Sequence, residues 1–184
     1  MLAIVTTAIS ALILSQNGPL TWKVEKAAMA KLGPPVLLDE YKIRPPKGYL
    51  LSKEIGSDGS TTYSWMEPHH RGLGSPALML MVLKMPAGVP HESREEISQE
   101  TLQGLLRHLR NGHMGQTEVR DVGGLEFLRT YFKGKDRSAK PSEGYQYVAV
   151  DGNNALYFFL TRTVDRSTLA NFRIMEAAVL SVRK

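Results

Sequence analysis

Apolar and polar positions alternate along this chain with two different periods. From Glu95 to Asn111 the apolar residues Leu102, Leu105, Leu106 and Leu109 fall at i, i+3, i+4 and i+7, one stripe of a helix, with Gln103, Arg107, His108 and Arg110 on the other side. Gly112 follows, where a left-handed C-cap residue is wanted. A second helix is predicted over Ser167–Ser181, whose Leu169, Phe172, Ile174, Met175, Ala178 and Val179 make a stripe wide enough to pack on a sheet. Between them the period drops to two. Thr117–Val122 and Leu125–Phe132 read as strands joined by Gly123-Gly124, and Tyr145–Val150 and Ala155–Val164 as strands joined by Asp151-Gly152-Asn153-Asn154.

Upstream, Val36–Arg44 reads as a single first strand, stopped by Pro45-Pro46-Lys47-Gly48. Leu50–Glu54 and Thr61–Met66 are predicted strands on either side of the turn Gly56-Ser57-Asp58-Gly59. Ala77–Met85 is an unbroken apolar run ended by Pro86, which predicts a strand in the middle of the sheet, buried on both faces. Strands that follow one another by hairpins make a mainly antiparallel sheet. The class predicted is therefore α+β, a sheet packed between helices.

The first residues follow neither period. Leu2–Leu14 is an uncharged apolar run, shorter than the ~20 residues a membrane span needs and suited to the core of a signal peptide. The expected division is a signal peptide over 1–18, a linker or short helix over 19–35 ended by Gly33-Pro34-Pro35, and one α+β domain over 36–184. The protein is expected to be exported, periplasmic or secreted, with no membrane span in its mature form.

Composition narrows the chemistry. A chain of 184 residues with 42% apolar and 22% charged residues is ordinary for one globular domain. With no cysteine, disulfides, thiolate metal sites and cysteine nucleophiles are excluded. Much of the formal charge of +5 is local: Arg129, Lys133, Lys135, Arg137 and Lys140 stand against Asp136 alone in that stretch. Such a run suits an anionic partner. It lacks the interleaved aromatics of a base-stacking platform, so a nucleic-acid partner is not expected.

No nucleophile elbow, phosphate loop or zinc-protease motif is present, and no catalytic residue, metal ligand or cofactor is nominated. His69-His70, with Glu67 nearby, is the one histidine pair, but adjacent positions do not by themselves make a metal site. The surface nominated for binding is Trp65, His69, His70 and Arg71, with Arg129 and Tyr131 next. The expected role is that of a non-catalytic binding or accessory module for another protein or a small ligand. Two alternatives stand beside it: a metal-dependent hydrolase using the His69/His70 loop, and an anion or nucleic-acid binder through residues 129–140.

Several stretches resemble the PsbP/Mog1-like group over about Val36–Lys184. Ile43-Arg44-Pro45-Pro46-Lys47-Gly48-Tyr49 is similar to its opening strand and proline–glycine–aromatic turn, and Val122-Gly123-Gly124-Leu125-Glu126-Phe127 to its hairpin after the first long helix. Tyr147–Gly152 with Ala155–Phe159 resembles its late strand pair, and Phe172 the aromatic that closes its core. The resemblance implies a single α+β domain that acts by binding. It carries over no functional residue, and the acidic surface used by the group's nuclear transport cofactor has no counterpart here.

Overall fold

In a computed structural model of the protein, residues 22–68, 77–85, 94–164 and 166–184 are described. In chain order the elements are α1 (Trp22–Met29), β1 (Val36–Leu38), β2 (Tyr41–Ile43), β3 (Leu50–Ile55), β4 (Thr61–Met66), β5 (Ala77–Lys84), α2 (Arg94–Leu106), β6 (Arg110–Val122), β7 (Leu125–Lys135), β8 (Pro141–Asp151), β9 (Asn154–Thr163) and α3 (Arg166–Val179). Strands β3 to β9 form a seven-stranded sheet in the order β3-β4-β5-β9-β8-β7-β6, and every neighbouring pair is antiparallel. The predicted α+β class holds.

The two predicted hairpins form where their turn residues allow it. Gly123 and Gly124 lie at φ 63° and 83°, a conformation that glycine adopts without the steric cost other residues meet. Asp151 pairs with Asn154 around the second turn.

The sheet buries its two faces unequally. Under α3, inward residues of the strands meet Phe172, Met175, Ala178 and Val179 of the helix, and Phe127, Tyr147, Phe158, Leu78 and Leu80 are all fully buried there. Burying each such side chain is worth about 1.5–3 kcal/mol before entropy is counted. Ala28 of α1 and Leu38, Tyr41 and Ile43 of the β1–β2 hairpin join the same core. The opposite face is covered by α2, with Leu102 pressed against the strands. There Met79, Met81 and Leu83 of β5 stay half-buried.

The structure corrects five details of the sequence reading. Val36–Arg44 is two short strands, because Asp39 adopts φ 52° and turns the chain back. The middle strand is β9, not β5, whose residues alternate between buried and half-buried. The helix predicted to Asn111 ends at Leu106, and β6 begins at Arg110. The left-handed residue there is Asn111, at φ 52°, and Gly112 is part of the strand. Finally, packing begins before Val36, since Ala28 and Leu32 are 6% and 5% exposed in the main core.

Candidate functional site

Strand alternation places Phe127, Arg129 and Tyr131 on the face of β7 under α3, and Glu143, Tyr145 and Tyr147 on the same face of β8. Across the gap, Phe172, Met175, Glu176 and Val179 fall at i, i+3, i+4 and i+7 on α3, so an acid occupies a position of the apolar stripe. The result is two buried polar ladders between sheet and helix.

In the first, the Arg129 guanidinium donates to Glu176 Oε1 from Nη2 at 2.6 Å and from Nε at 3.1 Å, and to Glu118 Oε1 at 2.6 Å. The Tyr147 hydroxyl donates to the same Glu176 oxygen at 2.9 Å, and Arg173 approaches the other at 3.3 Å. The guanidinium also lies 3.5 Å from the centre of the Tyr145 ring. Glu176 is fully buried and Arg129 is 6% exposed. Burial works against the arginine's charge, but Tyr147 and Glu176 beside it outweigh burial and push its pKa upward. Burial, reinforced by Glu176, pushes the Tyr147 phenol well above its ordinary value.

In the second ladder Arg162 donates twice to Glu143 Oε1, once at 2.8 Å from Nε, while the Tyr131 hydroxyl donates to Glu143 Oε2 at 2.7 Å. The rings of Tyr131, Tyr145 and Phe172 link the two ladders, with Tyr145 stacked on Phe172 at 5.6 Å.

This placement revises the nominated surface. Arg129 faces inward and holds a carboxylate of the chain itself. Tyr131 is half-buried and engaged with Glu143. Trp65 is 2% exposed, between Leu51 and Leu78 on the inner face of β4, so its indole is a packing group and not a surface open to a partner. His69, His70 and Arg71 lie outside the described residues. The chain enters that stretch from Pro68, on the rim of a depression of about 320 Å³ lined also by Lys31, Lys47, Tyr49, Glu67 and Asn171. Among the described residues no three His, Asp or Glu side chains gather closely enough to hold a metal ion. Reading strand by strand missed Glu143, Arg162 and Glu176. The signal that could have found Glu176 is its stripe position among apolar neighbours.

Two surface features remain once the ladders are assigned. Strand β3 is one edge of the sheet, exposed along its whole length, with Leu50 48%, Leu51 50% and Ile55 73% exposed and Met66 of β4 48% exposed beside it. At the other edge, the start of β6 lies beside the end of β7 and brings Arg110 opposite Lys135 and His113 opposite Lys133.

No protein-family model matches the sequence, and no curated protein matches it. Among solved structures, the chain is similar to the cyanobacterial PsbP (CyanoP) of Synechocystis sp. PCC 6803, with a TM-score of 0.63 at 12% identity over 83% of this chain and 92% of that one. It is also similar to LpqN, involved in cell envelope biogenesis of Mycobacterium tuberculosis, with a TM-score of 0.53 at 15% identity over 82% of this chain and 84% of that one. The chain has the PsbP-like fold. Among the described residues no helix is long and apolar enough to cross a membrane.

Proposed function

We propose that the protein is an exported accessory module that works by docking to another protein and not by turning over a substrate. The observation that carries this reading is the β3 edge. Sheet edges are usually short, charged or covered. This one keeps Lys53 and Glu54 but displays three large aliphatic side chains, and no further strand pairs with it among the described residues. An extended segment of a partner can add a strand there, taking backbone hydrogen bonds for affinity and side-chain contacts for selectivity. The two solved neighbours support an accessory role by fold alone. Leu2–Leu14 supports export.

The test uses the full chain and its Leu51→Lys/Ile55→Lys variant, both exposed positions that the core does not need. Proteins captured from the exported fraction by the wild type, crosslinked at β3, are expected to be lost from the variant. Identical partner lists would remove the edge from the proposal. Cell fractionation tests export separately: a charged residue within Leu2–Leu14 should retain the protein inside, and unchanged export would end that part.

A further inference from the structure

At the turn end of the β6–β7–β8 sheet edge, six cationic side chains gather. Arg107 and Arg110 come from the α2–β6 junction, Lys133 and Lys135 from β7, and Arg137 and Lys140 from the turn into β8; all six are exposed. Asp136 is the single acid of the turn, and its Oδ1 accepts the backbone N–H of Lys140 at 2.9 Å. Six cations against one acid equal the chain's entire formal excess of +5.

Several ion pairs lie elsewhere on the described surface. Arg94 meets Glu126 at 2.6 Å, Lys184 meets Asp151 at 2.8 Å, and Arg120 meets Glu118 at 3.3 Å. None of the six has an ion-pair partner among the described residues. The ladder instead sets Lys135 directly opposite Arg110, and Lys133 opposite His113. The Lys135–Arg110 pair sets like charges opposite each other, an arrangement that costs stability. The packing gains nothing visible from them, since all of these side chains point to solvent.

We propose that this end of the sheet docks on an anionic lipid surface, through phosphate-bearing headgroups. Three observations favour a membrane over other polyanions. The cations form a broad rim spread over two strands and a turn. Exposed apolar residues share that end: Val164, 45% exposed, donates its N–H to the Pro141 carbonyl at 2.9 Å, and Met114, 37% exposed, adjoins His113. Such residues can enter the headgroup boundary beneath a basic rim. No Phe, Tyr or Trp is exposed there to stack on nucleotide bases. The rim lies on the edge opposite β3, so a membrane contact leaves the proposed protein-docking edge free, and the two ideas fail independently.

The experiment is cosedimentation of the full chain with phosphatidylcholine vesicles, with and without phosphatidylglycerol. Binding should require phosphatidylglycerol and fall steeply as salt rises from about 50 to 200 mM. Lys133→Glu/Lys135→Glu should weaken it by at least about tenfold, since each basic residue near an anionic surface is worth roughly fivefold. Lys42→Glu/Lys84→Glu, at two exposed positions away from the rim, makes the same change in net charge and should leave binding unchanged. Any contribution of the N-terminal apolar segment is common to all three proteins and cancels. Equal binding to both kinds of vesicle, no loss in the double variant, or tighter retention by duplex DNA or polyglutamate than by the vesicles would each overturn the proposal.

Discussion

On the face of the sheet under α3 the buried arginines and glutamates all have partners, while on the face under α2 a neutral amide is buried and has none. Arg129, Glu176, Arg162 and Glu143 are each less than a tenth exposed and held by two or more bonds. Gln146, on the other face of β8, is fully buried with neither its Oε1 nor its Nε2 bonded. The covers differ as well. α3 buries Ala177 and Ala178 as well as its apolar stripe and is flanked by α1 and the β1–β2 hairpin, whereas α2 buries only Ser98 and Leu102 completely. The lesson concerns how steeply each error is penalised. An unpaired buried charge costs far more than an unpaired amide, so the face that accepted charges had to satisfy them all.

The largest effect should come from breaking a ladder. Glu176→Ala leaves the Arg129 guanidinium buried opposite an empty position and is expected to cost about 3–5 kcal/mol in denaturant unfolding. Removing both charges with Arg129→Met/Glu176→Leu should return most of that loss, because a buried pair and a well-packed apolar pair are often close in stability. A single variant that unfolds at the wild-type midpoint would show that the ladder is not what holds α3 to the sheet.

Alkaline pH is the next lever, and it reaches both faces. Each of the seven tyrosines has its pKa raised, first of all by burial, including Tyr147 under α3 and Tyr157 under α2. A phenol whose pKa is higher folded than unfolded contributes stability that is complete below the unfolded value, about 10, and lost as pH climbs toward the folded value. Tyrosine ionisation followed by ultraviolet absorbance should therefore coincide with unfolding, monitored by circular dichroism. Phenols that titrate near their ordinary value while the fold persists would contradict the burial pattern, and the face they belong to would be the loosely covered one.

How much of this was legible in the sequence depends on range. Hairpins were readable because Gly123-Gly124 and Gly152-Asn153 set their own geometry within two residues. The apolar stripe of α3 was readable from its period. The partners of Arg129 were not, since Glu176 lies 47 residues away and only the crossing of helix over sheet brings them together. The same limit made Trp65 look available: alternation says that it shares a face with Tyr63, but not that this face is the one covered by α3. The basic run was visible, yet the sequence did not separate Arg129, which turns inward, from Lys133 and Lys135, which meet Arg110 and His113 across the ladder.

The smallest effect is the sharpest test of the contrast between faces. Gln146 sits between Phe159 of β9 and Thr130 of β7, and Thr130 Oγ1 is already bonded to Thr117 Oγ1 at 2.9 Å. Along the strand, Gly144 leaves room that the Phe132 ring fills: a Cβ added there would come within 2.4 Å of the ring. The amide is therefore walled in largely by apolar groups, and neither of its polar atoms bonds the neighbouring Thr130 hydroxyl. A buried polar group without partners costs about 1–3 kcal/mol. Gln146→Met, similar in length and volume, should then raise stability by about 1 kcal/mol, read as a higher denaturant midpoint at unchanged slope. Loss of stability on this substitution would mean that the amide is satisfied in solution, through a buried water or a shift of α2. Both faces of the sheet would then bury polar groups under one rule, and the difference between them would reduce to the thickness of their helical cover.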